Sequence, residues 1–309
     1  MARKNGKVIG IVAGVVFLLI CGAFLFEFLQ LVKIDEEEKE LNPRVLTLLQ
    51  EKERIQIELA NVEAILSEKD AEIAELNACD DLLANARQEY YGVCKQLEDA
   101  VLEGRADFKI AYLTFDDGPY VDMTPQFLQV LKDRDILATF FQIGKPDEKY
   151  DALYHQVYEA GHTIANHTYS HKMKDGIYLS VENFINDVIQ NRDFIQDKLG
   201  ITTNILRFPG GSGSALGLKP EIVRQLKELG YGYVDWTAAT GDGIEVASPE
   251  EYYENVLGRY NWGGDLQVVL MHDYSQSSLT CLPWVIDAFA GQGYIFLPLF
   301  YESSVVIKE

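Results

Sequence analysis

The sequence predicts an α/β domain built on a parallel sheet, preceded by a membrane-spanning helix and a helical coiled-coil stalk. Three observations carry that expectation. Short β-rich runs alternate with amphipathic helical stretches beyond Arg105, apolar residues recur every seven positions between 41 and 103, and Val8–Phe26 is an uncharged apolar run. Charge divides the 309-residue chain in the same way. Residues 1–33 carry four bases and one acid, residues 34–105 carry 19 acids and 8 bases, and residues 106–309 carry 28 acids and 15 bases. The expected domains are therefore 1–33, a basic cytoplasmic tip with the anchor; 34–105, the stalk; and 106–309, the domain that holds the chemistry. A net charge of -21 excludes a nucleic-acid binder, which needs a basic footprint to neutralise phosphates. Four cysteines without C-x-x-C spacing are too few for a disulfide framework, so the fold must stand on its core.

A helix needs about 20 apolar residues to cross the hydrocarbon layer, and the 19 uncharged residues Val8–Phe26 reach that length. Arg3, Lys4 and Lys7 precede the run and Asp35–Glu38 follow it, which places the N-terminus in the cytoplasm and the remainder outside the cell. Ala13-Gly14 and Gly22-Ala23 lie inside the run, so neither offers a cleavage site, and a retained anchor is expected over a removed signal.

In the stalk one heptad column reads Leu41, Leu48, Ile55, Val62, Lys69, Leu76, Leu83, Tyr90, Leu97. The other reads Val45, Lys52, Leu59, Leu66, Ile73, Asp80, Arg87, Cys94, Val101, so that 14 of the 18 positions are apolar. Such a run exceeds the three or four heptads of a credible coiled coil. Asn42 before Pro43 is a helix start. Two arrangements remain open: a parallel homodimer with Cys94 in the seam, or a hairpin folding back at Asn77–Asp81.

Beyond Arg105 the expected strands are Lys109–Phe115, Ala138–Ile143, His162–Asn166, Ile205–Arg207, Gly232–Trp236, Gln267–Met271 and Tyr294–Leu299. The expected helices are Thr124–Arg134, Lys149–Ala160, Val181–Leu199, Lys219–Leu229, Pro249–Tyr260 and Cys281–Ala290. Alternating βα units imply a parallel sheet, open or closed into a barrel. Polar residues gather at strand ends. Asp116-Asp117-Gly118-Pro119 ends the first strand with adjacent carboxylates in a turn, and His167 and His171 end a later one at i, i+4, a spacing that one helical turn would place on one face. Two imidazoles and a carboxylate give three ligands and leave a position open, the pattern of a catalytic zinc centre. The neighbouring carboxylate can then take a proton from the water that the metal activates.

Thr114-Phe115-Asp116-Asp117-Gly118-Pro119, His167-Thr168-Tyr169-Ser170-His171, Arg207-Phe208-Pro209-Gly210-Gly211 and Leu270-Met271-His272-Asp273, in this order, resemble the polysaccharide deacetylase family. This is the NodB-homology group, carbohydrate esterase family 4, and the resemblance covers about residues 108–300. It implies a distorted (β/α)7-type barrel and hydrolysis of N-acetyl groups on a glycan. It further implies that Asp117, His167 and His171 bind Zn2+ or another divalent transition metal such as Co2+. Asp116 would be the general base and His272 the general acid, with Arg207 orienting Asp116 and Asp242 orienting His272. The backbone N–H groups of Tyr120 and Gly210 would stabilise the oxyanion. Two positions depart from the family pattern. Gly210 stands where many members have Tyr, and Gly243 where many have Trp, leaving Leu270 as one wall of the acetyl pocket and Trp236 as the candidate for the other.

The expected substrate is an acetylated glycan polymer outside the membrane, peptidoglycan N-acetylglucosamine or N-acetylmuramic acid first. An exopolysaccharide, chitin oligomers and xylan are alternatives within the same chemistry. An inactive envelope scaffold is the alternative from another class.

Overall fold

The computed structural model describes residues 22–23 and 41–309. The anchor expected at Val8–Phe26 lies outside the described residues, apart from Gly22 and Ala23, which are helical. Among the described residues no helix is long and apolar enough to cross a membrane.

The stalk sequence forms one 62-residue helix, α1 (Leu41–Leu102), which runs through residues 77–81 without a break, so the hairpin is not formed. The chain divides into two units, residues 1–86 and 87–309. In the first, Arg54 reaches Glu51 and Glu58 along the helix, and Ile57, Ile65 and Leu82 are exposed. The second unit starts inside α1, 19 residues before the expected boundary at 106. Cys94 is fully buried in this unit's own core beside Leu97 and Val101, rather than presented to a seam.

The second unit continues with β1 (Lys109–Asp116), α2 (Thr124–Lys132), β2 (Thr139–Gln142), α3 (Asp151–Glu159), β3 (Thr163–Asn166) and α4 (Val181–Leu199). There follow β4 (Ile205–Leu206), α5 (Lys219–Glu228), β5 (Gly232–Tyr233), β6 (Ala238–Ala239), α6 (Pro249–Glu254), β7 (Leu266–His272), α7 (Gln276–Gly291) and β8 (Tyr294–Phe296). Helix starts follow local chemistry. Ser180 caps α4 and Ser275 caps α7 through the side chain, and Ser248 and Glu251 form a capping box on α6. The Ser275 cap starts α7 five residues before the expected Cys281, with Pro283 accommodated inside the helix. The expected Pro249–Tyr260 helix is α6 followed by a π turn, Asn255–Arg259.

All strand pairings in the sheet are parallel, in the order β5-β4-β3-β2-β1-β7-β6, with β8 joined to the start of β1. The sheet curls into a half-barrel. Among the described residues no pairing joins β5 to β6, so the expected seven-stranded barrel is present as an eight-stranded curled sheet with two edges. The physical reason lies in how its faces are covered. Along β1, Ala111, Leu113 and Phe115 enter a core with Phe127 of α2, Val157 of α3 and Leu282, Val285 and Phe289 of α7. Ile110 and Tyr112 point the other way, into a core with Cys94, Leu299, Phe300 and Val306. The last turns of α1 and the C-terminal segment thus seal the face that barrel closure would otherwise bury. Near-continuous burial of β1 and β7 follows from cover on both faces.

Register brings the motifs together. Asp116 aligns with Phe141 of β2 and with His272 of β7, Gln142 aligns with Asn166, and Asn166 aligns with Leu206. The residues that follow these pairs, Asp117, His167 and Arg207, therefore emerge at the same C-terminal sheet edge, where α/β folds place their sites.

Candidate active site

Asp117, His167 and His171 each point a ligand atom into one small space, all within 4.8 Å of one another. His167 Nε2 and His171 Nε2 lie 3.4 and 3.3 Å from Asp117 Oδ1. The two histidines do not lie on a helical turn. They sit on a loop in which Thr168 (φ 64°) and His171 (φ 50°) are left-handed, and this brings the rings to 4.8 Å between centroids. Polar anchors fix that loop: Asn166 Oδ1 accepts the Thr168 N–H at 2.8 Å, and Asp187 Oδ1 accepts those of Tyr169 and Ser170 at 2.7 and 2.8 Å.

The cluster fits a divalent cation. Asp117 Oδ1 is buried, and no group among the described residues donates a hydrogen bond to it. His167 Nδ1 lies 2.9 Å from the Arg207 carbonyl, so this nitrogen carries the proton and Nε2 turns its lone pair toward Asp117. Lone pairs converging with no proton between them are the donor set of a metal centre. Burial would raise the Asp117 pKa, but the imidazoles of His167, His171 and His272 gathered around it outweigh burial and hold the carboxyl well below its ordinary range.

Two oriented pairs flank the cluster. Arg207, fully buried, donates from Nη1 to Asp116 Oδ1 at 2.9 Å and to Thr114 Oγ1 at 2.6 Å, and Asp116 Oδ2 faces His167 Nε2 at 3.6 Å. Asp242 Oδ1 lies 2.7 Å from His272 Nδ1, while its Oδ2 accepts the His272 N–H at 2.9 Å and the Ser278 hydroxyl. His272 Nε2 is left facing Asp117 Oδ2 at 3.9 Å. Burial works to lower the His272 pKa, but the hydrogen bond and charge of Asp242, with Asp116 and Asp117, raise it to about 9.

The expected oxyanion donors separate. The Tyr120 N–H donates to Thr124 Oγ1 at 2.7 Å, so it is not a free donor, contrary to the sequence expectation. Thr124 in turn donates to the buried Asp273. The Gly210 N–H donates to no group among the described residues, and Gly210 and Gly211 adopt φ 71° and 83°. Asp235, Ser212 and Lys219 latch that turn. Asp235 accepts from the Ser212 N–H and hydroxyl at 2.8 and 2.5 Å, and Lys219 Nζ donates to the same hydroxyl at 2.8 Å.

Of the two expected pocket walls, Leu270 lies on β7 two residues before His272, 8% exposed. Trp236 packs instead beneath the Gly-rich turn, its ring 3.0 Å from where a Cβ of Gly211 would stand. Gly243 abuts the His272 imidazole, so the missing aromatic at that position is replaced by close backbone approach.

Sequence reading passed over Thr124 and Asp273, which brace the Asp117 turn; a Cβ on Gly118 would stand 2.7 Å from Asp273 Oδ2. Burial raises the Asp273 pKa to about 7 against the hydrogen bond from Thr124 and the pull of Lys145. It also passed over Asp187, Asp235 and Lys145. Only Asp273 stood inside a quoted motif; the others are single polar residues in helices or loops, without spacing to mark them.

A parallel half-barrel with these two pairs at its strand ends defines a hydrolase. The polysaccharide deacetylase family model matches residues 103–234. A peptidoglycan-N-acetylglucosamine deacetylase of Bacillus cereus is 32% identical over 193 residues, 61% of this chain and 85% of the relative. A chitooligosaccharide deacetylase of Azorhizobium caulinodans is 28% identical over 61% of this chain and 91% of the relative. The catalytic domain of peptidoglycan N-acetylglucosamine deacetylase from Eubacterium rectale superposes with a TM-score of 0.59 at 33% identity, over 64% of this chain and 91% of that structure. A Streptococcus mutans CE4 esterase does so with 0.57 at 31%, over 63% and 87%. The chain belongs to the polysaccharide deacetylase family, and it is a hydrolase of that family's type.

Proposed function

We propose that this chain removes N-acetyl groups from peptidoglycan outside the cell, with a divalent metal held by Asp117, His167 and His171 and the protein tethered by the apolar run at Val8–Phe26. The observation that carries the reading is the pairing of Arg207 with Asp116 and of Asp242 with His272 on either side of the ligand cluster. Zn2+, or a similar ion such as Co2+, supplies Lewis-acid polarisation of the carbonyl and of water when bound.

The chain's own residues do the rest. Asp116 Oδ2 is free of Arg207, which holds Oδ1, so it can take the proton of the attacking water as the water oxygen adds to the acetyl carbon. The Gly210 N–H has no acceptor among the described residues and is the remaining backbone donor for the oxyanion; losing such a donor typically costs about 3–4 kcal/mol of transition-state stabilisation. His272, with Nδ1 held by Asp242, carries its second proton on Nε2 and delivers it to the departing nitrogen. The C–N bond breaks, and acetate and a free amine are the products. Relatives named for peptidoglycan support that polymer, and a relative named for chitooligosaccharides makes neutral N-acetylglucosamine oligomers the second reading.

The test is acetate release by the full chain from peptidoglycan and from N-acetylglucosamine oligomers, before and after chelation and after Zn2+ is restored. Release that returns with the metal is the expected result. Release unaffected by exhaustive chelation would overturn the metal assignment, and no release from either polymer would overturn the substrate.

A further inference from the structure

Lys145 lies in the loop three residues beyond the C-terminal end of β2, the strand that neighbours β1 and its Asp116-Asp117 turn. Its backbone is fixed on both sides. The Gly144 N–H donates to the Tyr169 carbonyl at 2.9 Å, and the Lys145 N–H donates to Tyr154 Oη at 3.1 Å. The side chain is fixed as well, since Nζ donates to the Pro119 carbonyl at 2.8 Å and lies 3.4 Å from the centroid of the Tyr120 ring. An ammonium group has three protons, and the carbonyl takes one.

This amine makes no ion pair among the described residues, although the chain carries 48 acids. Lys95 and Lys149 hold Asp99 and Asp147 at 2.6 and 3.1 Å, and Lys198 is likewise paired with Asp151. Asp273 and Asp117 act on Lys145 only from beyond ion-pair distance. A half-buried cation without a carboxylate is unfavourable unless something compensates it. The compensating face of Tyr120 continues toward the reaction centre. Tyr120 meets Tyr274 edge to face at 5.5 Å, and Tyr274, 37% exposed, lies 5.0 Å from the His272 ring. Amine and rings thus form one continuous wall that starts at the general acid.

We propose that Lys145, with Tyr120 and Tyr274, forms a subsite for a sugar unit bearing a carboxylate, next to the acetamido sugar that is hydrolysed. The inference rests on the deacetylase reading above and sharpens it. The tyrosine rings offer apolar area with a polar tip to a pyranose face, and the ammonium offers a compact charge that accepts a carboxylate from several directions. In peptidoglycan that carboxylate comes from the lactyl group of the muramyl unit or from its stem peptide. Neutral chitin-type oligomers offer none.

The test compares the full chain and its Lys145→Met and Lys145→Arg variants on four soluble substrates. These are N-acetylglucosamine tetramer, a muramyl tetrasaccharide with free lactyl carboxylates, a disaccharide-peptide fragment, and the same fragment with its carboxylates amidated. In Lys145→Met, kcat/KM on the carboxylate forms should fall about tenfold, mainly through KM, as expected for a lost charge-assisted contact. The tetramer and the amidated fragment should change by less than about twofold, and Lys145→Arg should keep most of the preference. Whichever carboxylate form loses more identifies the source of the charge. Equal losses on charged and neutral substrates, or no loss on any, would overturn the subsite. If the unmodified chain releases acetate from none of the four, the deacetylase reading fails. Binding of the free and amidated fragments to the chain then decides the subsite, since a preference for the free form that Lys145→Met abolishes supports it and no preference overturns it.

Discussion

A Cβ on Gly243 would stand 2.6 Å from Cε1 of His272, closer than real side chains approach. The imidazole is fixed from its other side by Asp242, which is bound to both its Nδ1 and its backbone N–H. It therefore has no room to yield without leaving that carboxylate. Gly243→Ala should lower kcat by at least about tenfold, because misplacement by an ångström can cost about a hundredfold. KM and the melting temperature should change little. A Gly243→Ala enzyme with full kcat would mean that the ring moves freely and that its pairing with Asp242 does not set its position.

Asp116 and Arg207 make a buried pair, and the two halves have separable effects. Asp116→Asn keeps the size and a hydrogen-bond acceptor for Arg207 but removes the proposed base, so acetate release should vanish while metal content is unchanged. Arg207→Met leaves the Asp116 charge buried without its partner, which typically costs about 3–5 kcal/mol of stability. Chemical denaturation of both variants checks the contrast. Turnover surviving in Asp116→Asn would exclude this residue as the base.

Much of this site is legible in the sequence alone, for a physical reason. A parallel sheet places the ends of neighbouring strands at one edge, so short motifs that follow apolar runs converge whatever the distance in sequence between them. Asp117, His167, Arg207 and His272 all follow or end such runs. The histidine spacing was readable but its conformation was not, because left-handed Thr168 and His171 depend on anchors from Asn166 and Asp187, the latter on a different element. The engaged Tyr120 N–H was hidden likewise, since Thr124 Oγ1 competes for it only once the turn is folded. Barrel closure was beyond sequence altogether: it depends on α1 and the C-terminal segment occupying the second face, a long-range choice that periodicity does not encode.

Asp117 Oδ1 is the atom that the described residues leave unsatisfied at the centre of the ligand cluster. Restoring Zn2+ to chelated protein should therefore raise the melting temperature, since linkage adds about 2.7 kcal/mol at a hundredfold excess over Kd. Asp117→Ala should abolish both the shift and the bound zinc found by elemental analysis. Stoichiometric zinc in that variant would place the metal elsewhere.

His162 sets a pH dependence away from the reaction centre. It is 2% exposed, and its Nδ1 accepts the Ala138 N–H at 3.1 Å. Burial, helped by the charge of Arg87, lowers its pKa from 6.5 to about 4. The unfolded chain therefore binds a proton between these values that the folded chain refuses. The stabilisation is complete above the unfolded value and is lost as pH falls toward 4, amounting to about 2 kcal/mol by pH 5. His162→Asn, whose Oδ1 can accept the same N–H without titrating, should remove that part of the acid limb in denaturant titrations at pH 7.5 and 5. Parallel curves for the two proteins would show that His162 plays no part.

Where the chain is cut should decide whether the second unit folds. Glu98, fully buried, accepts from Tyr112 Oη at 2.6 Å and from the Ser304 N–H and hydroxyl at 2.8 and 2.9 Å. Arg87 donates to the carbonyls of Tyr158 and His162 at 3.1 and 3.0 Å, and Tyr91 stacks on Phe300 at 5.3 Å. A fragment starting at residue 106 loses all of these together with the apolar cover of Cys94, Leu97 and Val101. A fully buried apolar side chain is worth about 1.5–3 kcal/mol, so the loss should exceed about 5 kcal/mol, a large part of the stability of a whole domain. A fragment of residues 87–309 should unfold cooperatively and keep activity. One of residues 106–309 should expose the apolar face over β1, bind hydrophobic dyes and aggregate. Equal melting temperatures for the two would mean that the last turns of α1 lie on the sheet without stabilising it.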